Sequence, residues 1–171
     1  RDRYNTFVDS LPKSESDKHD LSLANTRSRL RMVTLYYFAA LNNFLVAGTG
    51  NKVEDFGIGF YTKYGDGGVD ISPIADLLKS EVFELARYHG IIDEIISAKP
   101  TDGLWNDNRT DEEQIGATYD ELEKAMIQES KSDINLSQRE IEVMSIYKSF
   151  NSSNRHKMDP IPVCAIPKEY I

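Results

Sequence analysis

Phe44-Leu-Val-Ala-Gly-Thr-Gly-Asn51 joins a short apolar run to a glycine-rich turn with no charged residue between them. A run of this length bounded by turn residues fits a strand buried on both faces of a parallel sheet. In open α/β sheets ligands gather at the carboxyl ends of strands, so the turn at 48–51 is where a ligand loop is expected. Just upstream, Leu30, Val33, Tyr37 and Leu41 recur at helical spacing. Residues 25–41 therefore read as one amphipathic helix that stops at Asn42-Asn43.

Downstream, Tyr64-Gly-Asp-Gly-Gly68 is dense enough in glycine to form a tight loop. Ser72-Pro73 leads into a helix predicted over 76–89, with Leu78, Val82, Leu85 and Ala86 on one side and Gly90 as its stop. A second helix is predicted over 91–97. Residues 99–115 are polar, carry Pro100, Gly103 and Trp105, and read as a long loop. Thr118 with Glu121 and Ser137 with Glu140 each match a capping box and start two further helices. The tail from Asn151 reads as irregular, which places Arg155-His156-Lys157 on a loop. The opening segment, 1–20, is polar and has neither an initiating Met nor the apolar core of a signal peptide, so the chain is expected to begin inside a larger protein.

A net charge of -8 over 171 residues repels a nucleic-acid backbone, and no polynucleotide partner is expected. Small anions are a separate matter, because Arg29, Lys63, Lys79 and Lys157 act at short range. Cys164 is the single cysteine, which rules out an internal disulfide and agrees with a reducing, cytoplasmic setting. The most apolar stretch, 32–48, is broken by Thr34, Asn42 and Asn43 and falls short of the ~20 apolar residues of a spanning helix, so no membrane partner is expected. The absence of HExxH, CxxC, GxSxG and GxxxxGK[ST] patterns removes support for zinc hydrolysis, thiol redox chemistry, α/β-hydrolase chemistry and Walker-type ATP use.

Several polar residues have two readings from the residues alone. Glu54 and Asp55 follow the expected strand end, where a carboxylate can hold Mg²⁺ with phosphate oxygens and water, or be a solvated acidic pair. Lys79 falls early in its helix, where the macrodipole disfavours a cation by ~0.3–1 kcal/mol unless an anion lies nearby. Asp76 or a phosphate would supply that anion. Arg27, Arg29 and Arg31 cannot all point the same way along a helix; one is available for a carboxylate or phosphate, and surface ion pairing is the plainer account. His156 by itself reads as a surface residue.

Taken together, the segments resemble the NAD synthetase family. They are Asn25-Thr-Arg-Ser-Arg-Leu-Arg-Met32, Gly48-Thr-Gly-Asn-Lys-Val-Glu54 and Tyr61-Thr-Lys-Tyr-Gly-Asp-Gly-Gly-Val-Asp70, then 73–79, Lys99-Pro-Thr101, Tyr119-Asp-Glu121 and Arg155-His-Lys157. They occur in family order from about residue 25 to 160. The resemblance implies a doubly wound α/β domain of the ATP-pyrophosphatase type, helix-rich in this portion, working as a homodimer. It implies synthesis of NAD from deamido-NAD, ATP and ammonia through an acyl-adenylate, with Mg²⁺ as cofactor. Residue by residue, it puts Thr49, Lys79 and Thr101 on ATP, with Lys79 on the phosphates as the catalytic cation. It makes Glu54 a Mg²⁺ ligand and puts Arg29, Lys63, Asp70, His156 and Lys157 on the deamido-dinucleotide.

The sequence departs from the family pattern in two places. Leu78 stands where relatives often carry Thr or Tyr before the lysine. The family's Ser-Gly-Gly-x-Asp-Ser phosphate loop is not among these residues. The expectation is that residues 1–171 form the carboxyl-terminal portion of one synthetase domain, with the phosphate-loop half upstream, and are inactive alone. The alternatives are the synthetase portion of a glutamine-dependent NAD synthetase, a non-catalytic dinucleotide-binding or dimerisation module, and a fragment held together by a large dimer interface.

Overall fold

The computed structural model describes every residue except 1, 13, 14, 17, 106, 108, 132–134 and 171, and only the backbone of residue 2. Parts of two expectations, the polar opening segment and the loop at 99–115, fall on these positions and lie outside the described residues. The α-helices are α1 (Asp2–Asp9), α2 (His19–Asn42), α3 (Lys79–Tyr88), α4 (Asp93–Ile96), α5 (Asp111–Ile115), α6 (Tyr119–Glu129) and α7 (Gln138–Met158). A π-helical turn spans Val53–Ile58, and a 3₁₀ turn spans Lys168–Tyr170.

The core forms where α6 and α7 close over the π turn. Val53, Ile58, Leu122, Val143 and Tyr147 are buried there together, with Ile115, Ala117 and Ala125 around them. Capping boxes begin both helices, as their sequence signatures predict: Thr118 accepts from the Glu121 amide and Ser137 from the Glu140 amide. Arg139 on α7 then grips Glu121 on α6 through two guanidinium nitrogens, at 2.8 and 2.9 Å, holding the two helix starts in register.

α2 begins six residues earlier than its apolar periodicity predicts and ends where predicted, on Asn43 in the left-handed region at φ 56°. Among its described residues only Ala24, Ser28 and Ala39 are buried. The strand expected at 44–48 is not formed: the described residues contain a single parallel bridge, Ala47 to Ile71, and no strand. Phe44 and Leu45 lie exposed beside that bridge, although Val46 is buried. A strand needs a neighbour along its length for its backbone groups, and among the described residues 70–71 supply one to Val46 and Gly48 alone, the Val46 carbonyl accepting from the Asp70 and Ile71 amides and the Gly48 amide donating to the Ile71 carbonyl.

Other boundaries shift for identifiable reasons. The helix predicted over 76–89 begins at Lys79, because Leu78 is extended and its amide donates to Glu81 Oε2 at 2.7 Å. Leu78 is thus a cap position and not part of a helical face. The second helix shortens to α4. The loop at 99–115 contains α5, started by a third capping box between Thr110 and Glu113.

The largest correction is the tail: α7 runs unbroken through Asn151-Ser-Ser-Asn and Arg155-His156-Lys157 to Met158. Those asparagines carry loop composition but do helical work. Asn151 Nδ2 donates to the Gly57 carbonyl at 2.7 Å and Asn154 Nδ2 to the Ile58 carbonyl at 2.9 Å, satisfying the end of the π turn. Gly59 follows at φ +60°, and a Cβ there would come within 2.7 Å of Asn154 Cβ. No helix among the described residues is long and apolar enough to cross a membrane.

Candidate active site

The π turn aims Glu54 into the molecule. Asn51, buried, starts the turn by accepting from the amides of Val53 and Glu54 at 3.1 and 3.2 Å. Gly50 leaves room beside it, since a Cβ there would lie 2.2 Å from Asp55 Oδ1. Asp55, packed into that space, has its carboxyl raised to about 6 by burial and by the charges of Glu54 and Asp66.

Glu54 Oε1 accepts from Lys79 Nζ at 3.0 Å and from the Tyr119 hydroxyl at 2.6 Å. The Lys79 ammonium also sits 4.7 Å above the Tyr119 ring. The same hydroxyl lies 3.2 Å from Asp111 Oδ2, and the buried Asp111 Oδ1 has no hydrogen-bond partner among the described residues. Burial raises both acidic groups: the Asp111 carboxyl is pushed up, and the Tyr119 hydroxyl is pushed far up by burial and then by Glu54.

Lys79, Asp111 and Tyr119 each occupy the first position of a helix, α3, α5 and α6 respectively. Capping fixes these positions, so the caps of α5 and α6 are what bring Asp111 and Tyr119 to Glu54. The start of α3 is fixed from outside. Glu123 on α6, buried, accepts from the Ser80 amide at 2.9 Å and the Ser80 hydroxyl at 2.7 Å. Glu81 and Glu123 take up the Leu78 and Ser80 amides, and the Lys79 ammonium projects from the same helix end. Its partner is Glu54. Asp76, the partner considered from the sequence, is exposed and pairs with Lys52 at 2.8 Å instead.

The other predicted positions fall in four places. Arg29, Lys63, His156 and Lys157 meet around the segment 59–63. Arg29 Nε donates to the Lys63 carbonyl at 3.3 Å, Lys63 Nζ donates to the His156 carbonyl, and Lys157 Nζ donates to the Gly59 and Tyr61 carbonyls at 2.9 and 2.7 Å. Burial lowers the Lys157 ammonium. The His156 ring lies on α7 and not on a loop, with Nδ1 3.2 Å from the Ser153 carbonyl. Thr49 lines a cleft of about 310 Å³ with Arg31, Asp66 and Asp102. Asp70 stands at the bridge, accepting from the Val46 amide at 2.8 Å and the Tyr36 hydroxyl at 3.0 Å. Thr101 is held within its own loop, donating to the Arg109 carbonyl at 3.2 Å.

Tyr119, Asp111 and Glu123 are the residues that sequence reasoning leaves without a role. Tyr119 is visible in a motif but carries no chemistry there, and Asp111 is hidden behind the Thr110 cap. Among the described residues no group of three or more His, Cys, Asp or Glu is arranged to hold a metal. Magnesium asks for less, one or two carboxylates beside phosphates and water. Glu54 has a carboxylate oxygen free for such a role in Oε2, whose one hydrogen bond among the described residues comes from the Asn51 amide at 3.3 Å.

The family model described as NAD synthase matches residues 2–160. The NH(3)-dependent NAD(+) synthetase of Carboxydothermus hydrogenoformans is 48% identical over 125 residues, covering 72% of this chain and 51% of that protein. That of Syntrophomonas wolfei is 40% identical over 164 residues, covering 96% of this chain and 62% of that protein. The chain thus spans about half to three-fifths of the length of these curated relatives.

Among solved structures, the NMN synthetase from Francisella tularensis superposes with a TM-score of 0.77 at 30% identity, over 98% of this chain and 64% of that one. The NH3-dependent NAD synthetase from Campylobacter jejuni, at 24% identity and a TM-score of 0.71 over 96% of this chain and 62% of that one, shares the fold. With the family model covering nearly its whole length, the chain belongs to the NAD synthase family.

Proposed function

We propose that this chain carries the lysine and dinucleotide side of the active site of an ammonia-dependent NAD synthetase, acting on deamido-NAD, ATP and ammonia. The observation that carries the reading is the Lys79–Glu54 pair. An ammonium at the first position of α3 works against the helix dipole and is held there by a carboxylate 3.0 Å away, in a chain of this family. It is a cation prepared for an incoming anion, because phosphate oxygens can take the place of the carboxylate.

A free carboxylate is a poor electrophile, so the nicotinate carboxylate attacks the α-phosphorus of ATP and pyrophosphate leaves. Ammonia then adds to the acyl carbon, gives up a proton, and AMP leaves with the bonding pair. Lys79 neutralises negative charge gathering on the phosphates. Glu54 would hold Mg²⁺, which would supply further charge neutralisation on the departing pyrophosphate. Arg29, Lys63, His156 and Lys157 bind and orient the dinucleotide from the edge formed by 59–63 and α7. Thr49, Asp70 and Thr101 complete the nucleotide contacts.

The doubly wound parallel sheet and the homodimer belong to the same proposal. The parallel Ala47–Ile71 bridge supports the first as the meeting of two strands. The exposed Val33, Leu35, Tyr37, Phe38 and Leu41 support the second as an apolar face suited to a second copy.

The test is NAD formation from deamido-NAD, ATP, Mg²⁺ and ammonium by the intact protein, beside its Lys79→Ala variant and residues 1–171 alone. The intact protein is expected to form NAD. Lys79→Ala should lose about a hundredfold to a thousandfold in kcat, and the 171 residues, without a Ser-Gly-Gly-x-Asp-Ser loop, should form none. A folded, inactive intact protein that still binds deamido-NAD would replace this reading with a binding module.

A further inference from the structure

Tyr119 carries one hydroxyl hydrogen, yet its oxygen lies within hydrogen-bonding distance of two carboxyl groups, 2.6 Å from Glu54 Oε1 and 3.2 Å from Asp111 Oδ2. That hydrogen can be donated to only one of them. The shorter contact, to the carboxylate that also faces the Lys79 ammonium, claims it. The second contact is then a hydrogen bond only if Asp111 brings a proton of its own and donates it to the phenol oxygen. Two further observations fit a proton-bearing Asp111. Its Oδ1 is buried with no partner among the described residues, a costly arrangement for a full negative charge and a mild one for the carbonyl oxygen of a neutral acid. Burial also acts on this carboxyl in the direction of the neutral form.

We propose that Tyr119 and Asp111 are positioning residues for the Glu54–Lys79 pair, with Asp111 donating a proton to the Tyr119 oxygen and Tyr119 donating its own to Glu54 Oε1. The relay ends on the same carboxylate oxygen that holds Lys79. The phenol shares the charge of Glu54 with the ammonium, so Lys79 is aligned without being locked and can turn to the phosphates when they arrive. The first-position placement of all three residues, Lys79, Asp111 and Tyr119, makes the relay a product of helix capping, with Glu123 fixing the start of α3 through Ser80. This inference rests on the reading of the site as that of a NAD synthetase.

The experiment measures kcat and KM of NAD formation by the intact protein, with infrared spectroscopy of protonated carboxyl groups on the same samples. Tyr119→Phe should lower kcat by about tenfold to a hundredfold, the worth of one hydrogen bond to a charged group, with KM for deamido-NAD unchanged. Asp111→Asn, whose amide donates to the phenol as the neutral acid does, should stay within about twofold of wild type, whereas Asp111→Leu should match Tyr119→Phe. One protonated-carboxyl band present in the wild type at neutral pH should vanish in Asp111→Asn. An unchanged kcat in Tyr119→Phe, or an Asp111→Asn variant as damaged as Asp111→Leu, overturns the proposal. The infrared band is read without turnover, so an inactive wild type counts against the functional reading alone, and a spectrum unchanged by Asp111→Asn counts against the relay.

Discussion

Two helical regions of this chain differ in how much of themselves they cover. Where α6 and α7 meet the π turn, Val53, Ile58 and Leu122 are fully buried and Val143 and Tyr147 are 2% exposed. Along the second half of α2, by contrast, Leu41 is 62% exposed, and Phe44, just after it, 70%. Both regions have sequences rich in large apolar side chains, so composition does not separate them. The difference lies in partners. The first region packs segments of this chain against one another, and the site at Glu54 and Lys79 is built on that rigid floor. The second presents its apolar face outward and needs cover from elsewhere, which the proposed second copy and completed sheet would supply.

The sharpest way to break this contrast is a matched truncation. Leu122→Ala removes a side chain with no exposure and should cost about 2–5 kcal/mol in denaturant unfolding, whereas Leu41→Ala should change unfolding of the monomeric chain by less than about 0.5 kcal/mol. Equal losses at the two sites would mean that α2 is packed within the chain after all. A smaller effect tests the joint between the π turn and α7. Gly59→Ala combines a left-handed backbone with a contact of 2.7 Å to Asn154 Cβ, and about 2–3 kcal/mol of destabilisation is expected by thermal or chemical unfolding.

The smallest effect concerns the tie between α6 and α7. Glu121 is held down to about 2, first by the Arg139 guanidinium and then by the Thr118 amide. Its depressed folded value means that its contribution is present above the ordinary value of 4.5 and is lost as pH falls through about 2. Discounted for solvent screening, Glu121→Gln should cost about 0.5 kcal/mol at neutral pH. The difference in stability between the two proteins should shrink as pH falls through about 2; a gap that keeps its full size below that pH would assign the loss to something other than the ion pair.

These tests fall on features of unequal readability. The starts of α6 and α7 follow from Thr118 and Ser137 with a glutamate three positions on, because a capping box is local chemistry. Asn43 ending α2 is equally local. Thr110 and Glu113 form the same motif, but in a polar stretch with Pro100 and Gly103 they are read as part of a loop, and Asp111 disappears with them. Asn151 and Asn154 mislead in the opposite direction. Their loop-like composition reflects hydrogen bonds to Gly57 and Ile58 nearly a hundred positions away, a long-range cause with no local signature.

The site shows the same division. Glu54 and Lys79 emerge as candidates through the family resemblance, and the structure brings them together at 3.0 Å. Tyr119 and Asp111 are assigned only by proximity, since nothing in a one-dimensional pattern indicates that the first turns of α3, α5 and α6 converge. The strand expected at 44–48 rests on an apolar run, but its pairing depends on neighbours that make one bridge among the described residues.

The π turn at Val53–Ile58 carries a consequence for tolerance to changes in length. A widened turn accommodates one residue more than an α-helical turn would over the same rise. Deleting one of its residues other than Glu54 would let the segment tighten into α geometry and turn Glu54 by about 100° relative to the chain on the far side of the deletion, the angular step of one α-helical residue. Lys79 and Tyr119 would then face empty space. Substitution within the segment is a question of packing, but its residue count is a question of aim, and the site can absorb the first kind of change more readily than the second.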